Sequence, residues 1–273
     1  MRADVTAQSV LIMDELNASE DRSRKIIIER FEKNLRGRKF QRSVEDDGHD
    51  GSEGHWVESM MEVRRNNSNR PDLEGFELKH STNSKTTFGD WCASDIIFNK
   101  KSRLFKLTRS NFLKIFGKPN AEKNGRCSWS GEPFPKLGDP NYFGQWLEID
   151  EGNNISAFYN YSMDRRVEKS QIVPLDLQLQ KLCLAIWSGS KLKKCLERKF
   201  NQNGWCLAIK NSEGVYTEIA FGRPITFEAW IGWFKIGKVY LDNGMYDGNL
   251  RPYAQWRADN RFWHDLLIRS EKL

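Results

Sequence analysis

Apolar residues recur at helical spacing twice near the N-terminus, over residues 7–17 and again over 20–35 at Ile26, Ile27, Ile28, Phe31 and Leu35. Two helices are predicted there, with Ser19 capping the second. The next stretch, residues 36–54, is polar and rich in glycine, so a loop is expected before a helix from about residue 55 to 66. At Phe76, Glu77, Leu78 and Lys79 the pattern changes to strict alternation, which on a strand buries Phe76 and Leu78 and turns Glu77 and Lys79 to the opposite face. Further along, residues 191–200 read as a helix. Residues 205–210 and 215–221 read as strands joined by the turn 211–214, and residues 224–234 as another helix. Strands and helices therefore interleave, which favours an α/β or α+β sheet flanked by helices over a sandwich or a bundle.

Bulk composition narrows this picture only slightly. A chain of 273 residues has ample length for a buried core, in one large domain or two modest ones. It contains no linker rich in Pro, Gly or Ser, no internal repeat and no apolar run near the roughly 20 residues that span a bilayer. The start of the chain lacks a signal-peptide layout, so a soluble, cytoplasmic protein is expected. Its five cysteines are odd in number and widely spaced, which suits reduced thiols and not a zinc site. His49, His55, His80 and His264 show no ligand spacing, and His80 is expected to pack on the face of its strand away from Lys79.

Charge is unevenly spread along the chain. The net charge is +6, but between Lys100 and Arg126 nine basic residues, Lys100, Lys101 and Arg103 among them, face one acid, Glu122. Phosphate is the natural partner of such a stretch, although like-charge runs are often simply solvated faces. Between Val44 and Glu62 the balance reverses, with seven acids and no Lys or Arg. There Asp46, Asp47 and Asp50 read as a solvated loop.

The densest chemistry lies in PDLEGFELK, residues 71–79. Asp72 and Glu77 supply hard carboxylate oxygens of the kind Mg²⁺ prefers, and Lys79 beside them can orient a water or steady charge on a phosphate. The same three residues could also form an ordinary solvated ion-pair face.

PD, four intervening residues, Glu, one apolar residue and Lys resembles the signature of the PD-(D/E)XK nucleases, whose core is a mixed sheet flanked by helices. Glu58 lies fourteen positions before Asp72, on the predicted helix of GHWVESMMEVRRNN. That combination resembles the MvaI/BcnI restriction endonucleases, in the MutH-like branch of the superfamily. MutH itself is less similar, since its gap between the acids is longer. The likeness extends over most of residues 50–262. DWCASDIIFNKK is similar to a second core strand ending near lysines, and RSNFLKIFGK followed by YFGQWLEIDEGNNISAFYNY is similar to a helix and a hairpin. KIGKVYLDNGMYDGNLRPYAQWR resembles the last core strand and a recognition loop.

The resemblance implies a type II restriction endonuclease that hydrolyses double-stranded DNA with Mg²⁺ at a short, GC-rich, near-palindromic site. It further implies a monomer and a partner DNA methyltransferase. Asp72, Glu77 and the Leu78 carbonyl would hold one ion, Lys79 would position or deprotonate the water, and Glu58 would bind a second ion directly or through water. Arg251, Arg257 and Tyr246 would lie in the base-reading loop, where arginine makes bidentate contacts with guanine. The family's histidines are missing from that loop. Lys100, Lys101 and Arg103 would meet phosphates, and Arg36, Arg38, Lys39 and Arg42 in the early loop could reach a groove. One nuclease chain is expected, with room for two lobes around a DNA cleft, a catalytic lobe of about 1–125 and a recognition lobe of about 126–273. A mismatch-repair nicking enzyme resembling MutH, or a DNA-binding protein that keeps the fold without hydrolysis, remain alternatives at this point.

Overall fold

The computed structural model describes residues 3–41, 51–64 and 69–268. Arg42, Asp46, Asp47, His49 and Asp50 lie outside the described residues. In chain order the elements are α1 (Ala3–Asn34), α2 (Ser52–Met60), β1 (Phe76–His80), β2 (Lys85–Asp90), β3 (Asp95–Ile96) and α3 (Arg109–Phe116). They continue with β4 (Lys118–Asn120), β5 (Arg126–Trp129), β6 (Phe143–Ile149), β7 (Ile155–Asp164), α4 (Lys169–Ile172), β8 (Leu182–Trp187) and α5 (Gly189–Phe200). The last are β9 (Gly204–Lys210), β10 (Tyr216–Gly222), α6 (Phe227–Lys235), β11 (Val239–Asp242), β12 (Met245–Tyr246), β13 (Gln255–Asp259) and α7 (Asn260–Asp265).

The chain divides into two compact units. The first comprises residues 1–86, 197–226 and 260–273, and the second residues 87–196 and 227–259. The expected division near residue 125 therefore falls inside the second unit, because compactness follows the sheets and not the order of the chain.

In the first unit β9 is the central strand of a mixed sheet ordered β1-β9-β10. It pairs parallel with β1, Phe76 opposite Gly204 through His80 opposite Ala208, and antiparallel with β10. Ile27 and Phe31 of α1 and Leu35, just after it, are buried at four-residue steps. They pack with Val57, Met61, Leu73, Phe76, Leu78, Cys206, Ala208 and Tyr216 in one core. The two expected N-terminal helices are one, since no Gly or Pro interrupts residues 17–20.

The second helix is shorter than expected, ending at Met60. Glu62 adopts φ 60°, and the Glu62 and Val63 amides donate back to Ser59 and Glu58, a left-handed C-terminal cap. Arg30 and Asn34 of α1 hold the Glu62 carboxylate in that cap. Lys39, expected in a groove-reaching loop, is exposed and its backbone bridges to Val215, and the Arg38 carbonyl accepts from the Tyr216 amide.

The second unit holds three small sheets, ordered β3-β8-β7-β6, β12-β5-β4 and β11-β13-β2. The β6–β7 hairpin and the α3 helix form as expected, the latter capped by Thr108 accepting from the Asn111 amide. The run DWCASDIIFNKK does not supply a second core strand. After Asp90, which ends β2, only Asp95 and Ile96 form a strand, paired with β8, because the chain turns at Asn99 and Ser102 and the Ser102 hydroxyl donates back to Asp95. The place beside β1 belongs to β9.

Candidate active site

The four residues between Asp72 and Glu77 are spent on a tight turn. Leu73 and Phe76 exchange backbone hydrogen bonds of 2.9 and 2.6 Å around Glu74 (φ 47°) and Gly75 (φ 85°), and positive φ at both central residues is the type I′ hairpin geometry. Asn203 donates to the Glu74 carbonyl and its amide to the Gly75 carbonyl, which holds the unusual Glu74 backbone in place. The turn folds Asp72 back beside β1, where its carboxylate accepts the Leu78 amide at 3.1 Å. The N–H and C=O of one strand residue project to the same edge, so the Leu78 carbonyl points to the side of Asp72 as well.

Glu77 departs from the simple picture of a wet charged face. It is 1% exposed, because both faces of β1 are covered. Its Oε1 receives Lys79 Nζ at 2.7 Å and Lys199 Nζ at 2.9 Å, while Oε2 is buried without a hydrogen-bond partner. Lys79 also lies 5.4 Å from the centre of the Phe200 ring.

These neighbours set the protonation of the group. Burial, reinforced by the charge of Glu77, pushes Asp72 up to about 7 against the opposing pull of Lys199 and Lys79. Burial also lowers Lys79, only partly offset by Glu77. Burial works against the Lys199 ammonium too, but Glu77 and Asp72 outweigh it and hold its pKa above the ordinary lysine value.

Lys199 stands 120 positions from Lys79, in the last turn of α5, and sequence reasoning missed it. Its only local signal is a cation at a helix C-terminus just before a core strand. Glu58, on α2, touches His55 at 3.3 Å and lies near enough to Lys199 to favour its charged form. Among the described residues no three acidic, imidazole or thiol groups gather closely enough to share an ion, so Asp72 and Glu77 meet while Glu58 stands apart from them. Two crowded carboxylates, a bare buried oxygen and a strand-edge carbonyl are nonetheless hard donors that suit Mg²⁺. His80 sits in a buried setting that lowers its pKa, close to Gly54, as expected of a packing residue.

The residues expected to meet phosphates and to read bases are in the second unit, whereas Arg36, Arg38 and Lys39 of the early loop belong to the first. Lys100, Lys101 and Arg103 are exposed, with Arg103 only 3.8 Å from Asp95 as a partner. Arg251 pairs with Asp90 at 2.8 Å and lies over the Tyr253 ring. Tyr246, on β12, is covered by the Arg126 guanidinium 3.6 Å from its ring centre. Arg257 is not in the loop. It stands on β13 opposite Tyr240, half-buried, bonded to Gln255 and ion-paired with Asp242 at 3.5 Å. The strand begins at Gln255, two residues before it, because the register with β11 runs to Asp242.

Comparison with known proteins adds three findings. A family profile described as LlaMI restriction endonuclease matches residues 35–271. The chain is 44% identical over 259 residues to the type II restriction enzyme ScrFI of Lactococcus lactis subsp. cremoris, covering 88% of this chain and 96% of that enzyme. A solved complex of the restriction endonuclease MvaI with cognate DNA superposes with a TM-score of 0.56 over 93% of this chain and 96% of that one, at 14% identity, and so shares the fold. Among the described residues no helix is long and apolar enough to cross a membrane. The chain belongs to the LlaMI restriction endonuclease family.

Proposed function

We propose that the chain is a type II restriction endonuclease that hydrolyses phosphodiester bonds of double-stranded DNA at a short, GC-rich, near-palindromic site, with Mg²⁺ held by Asp72, Glu77 and the Leu78 carbonyl. The observation that carries this reading is the state of the two acids. Asp72 is pushed up to about 7 by burial and by Glu77, and Glu77 Oε2 lacks a partner, a frustrated arrangement that a divalent cation relieves. When bound, the ion supplies neutralisation of charge that builds on the phosphoryl oxygens. Lys79, with its pKa lowered by burial, orients the attacking water and takes up its proton. Lys199 fixes the Glu77 carboxylate, whose free oxygen would hold the cation. Glu58 would hold a second ion directly or through water, and that ion would stabilise the leaving group.

Lys100, Lys101 and Arg103 contact phosphates, and Arg251, Tyr246 and Arg257 belong to the surface that reads bases. The chain acts as a monomer, cutting one strand per encounter, and a DNA methyltransferase guards host sites.

The test is digestion of unmethylated plasmid by the purified protein alone. Discrete Mg²⁺-dependent cuts in both strands are expected, and sequencing their ends gives the target. Asp72→Ala and Lys79→Ala should lose cleavage yet keep DNA binding in Ca²⁺. Undiminished cutting by either variant would refute the site.

A further inference from the structure

A cavity of about 310 Å³ lies in the second unit, whereas every proposed cleavage residue belongs to the first. Trp129, Trp187, Phe98 and Tyr253 are among its walls, and Asn243 and Met245 line it as well. The indole N–H groups of Trp129 and Trp187 are already given to Gln145 and to the Trp91 carbonyl, so these walls present ring surface and not donors. Asn243 is the exception. It is 3% exposed, and its side-chain oxygen has no hydrogen-bond partner. An unpaired buried amide oxygen costs free energy unless a ligand supplies a donor. A flat, aromatic molecule carrying an N–H group satisfies both the walls and the amide.

The rim indicates where such a molecule comes from. Asn99, an exposed lining residue, directly precedes Lys100 and Lys101, and Pro252 directly follows Arg251. Lys100 and Lys101 are exposed and suit phosphates, while Arg251 is held by Asp90. Leu250, two positions from Pro252, is 100% exposed, an apolar side chain of the kind that fills gaps between stacked base pairs. Ring walls, a lone amide, exposed cations next in sequence to the lining and an exposed apolar side chain are the parts needed to take one nucleotide out of a duplex.

We infer that this cavity receives a single nucleobase extruded from bound DNA, stacked among Trp129, Trp187 and Tyr253, with the Asn243 oxygen accepting from its exocyclic amino group. The inference rests on the reading of the chain as a DNA endonuclease and adds a recognition device to it. Adenine, cytosine and guanine offer such an amino group, whereas thymine offers only a ring N–H.

The experiment is an affinity scan in Ca²⁺. Once the target is known from plasmid ends, duplexes carry a mismatch or an abasic site in the opposite strand, one position at a time. Weakening a pair lowers the cost of extruding its base, so one position of the site should bind about tenfold tighter than the fully paired duplex. Asn243→Ala should reduce that gain. Because a buried substitution can also harm folding, Ala93→Phe at the half-buried mouth provides a second variant. By filling the cavity it should abolish the gain while Mg²⁺-dependent nicking of DNA persists at a reduced rate. A flat scan in a protein that binds and cuts overturns the inference and leaves the endonuclease reading intact. So does a gain that survives Ala93→Phe in a protein with a normal melting curve. Failure of the wild-type protein to cut any DNA overturns both.

Discussion

The two units handle charge in opposite ways. In the first, Glu77, Lys79 and Lys199 are withdrawn from solvent and fixed in one another's fields. In the second, Lys100, Lys101 and Arg103 stand in water with at most one distant acid for company. Buried charges are expensive and must be held by geometry, which is what a reaction centre needs. Exposed ones cost the fold little and remain free to exchange water for phosphate. The contrast teaches that a count of basic residues identifies neither role, whereas burial separates them.

Substitutions test this contrast, and the largest effect belongs to Glu77→Gln. It removes the negative charge shared by two buried lysines, so the metal-free fold should lose about 3–5 kcal/mol in urea unfolding along with all cleavage. A loss below about 1 kcal/mol would mean that the two ammoniums do not depend on Glu77. Lys199→Met should cost about 3 kcal/mol in the absence of metal, part of which returns on adding Mg²⁺ because a bound cation takes over the compensation of Glu77. Lys199→Arg should recover most of the stability without Mg²⁺. Equal losses with and without the ion would make Lys199 purely structural.

Gly75→Ala comes next. Its φ of 85° strains any side chain, and a Cβ would meet Asn203 Nδ2 at 2.6 Å. A loss of about 2 kcal/mol is expected, with weaker Mg²⁺ binding as Asp72 shifts from the Leu78 amide. Isothermal titration with Mg²⁺ against wild type checks it, and unchanged affinity would separate the turn from the site. At the small end, Arg103→Ala should change stability by less than about 0.5 kcal/mol and lower the salt dependence of DNA binding by about one unit of slope.

How legible all this was in the sequence follows from the distance over which each interaction acts. Asp72, Glu77 and Lys79 could be grouped because a four-residue gap and a period of two are local geometry. Both the turn and the alternation of Phe76 with Leu78 are properties of nine consecutive residues. The strand pair Trp205–Lys210 and Val215–Phe221 was visible for the same reason, down to the turn at Asn211. Lys199 was invisible because only the parallel pairing of β1 with β9 brings α5 to Glu77, and no pattern within α5 encodes that pairing. The burial of Glu77 was missed likewise, since alternation tells which face a residue takes but not what covers that face. DWCASDIIFNKK shows the converse, a run of strand-forming residues whose backbone partners lay elsewhere. Arg257 was misplaced because the start of β13 depends on its partner β11.

The discontinuity of the first unit constrains anyone who would re-engineer the protein. Its three segments are separated by two excursions, residues 87–196 and 227–259. No simple truncation yields it as a polypeptide, and no end-to-end fusion exchanges the second unit for another. A chimera would have to replace both excursions together, at four junctions, two of which fall within β2 and α5.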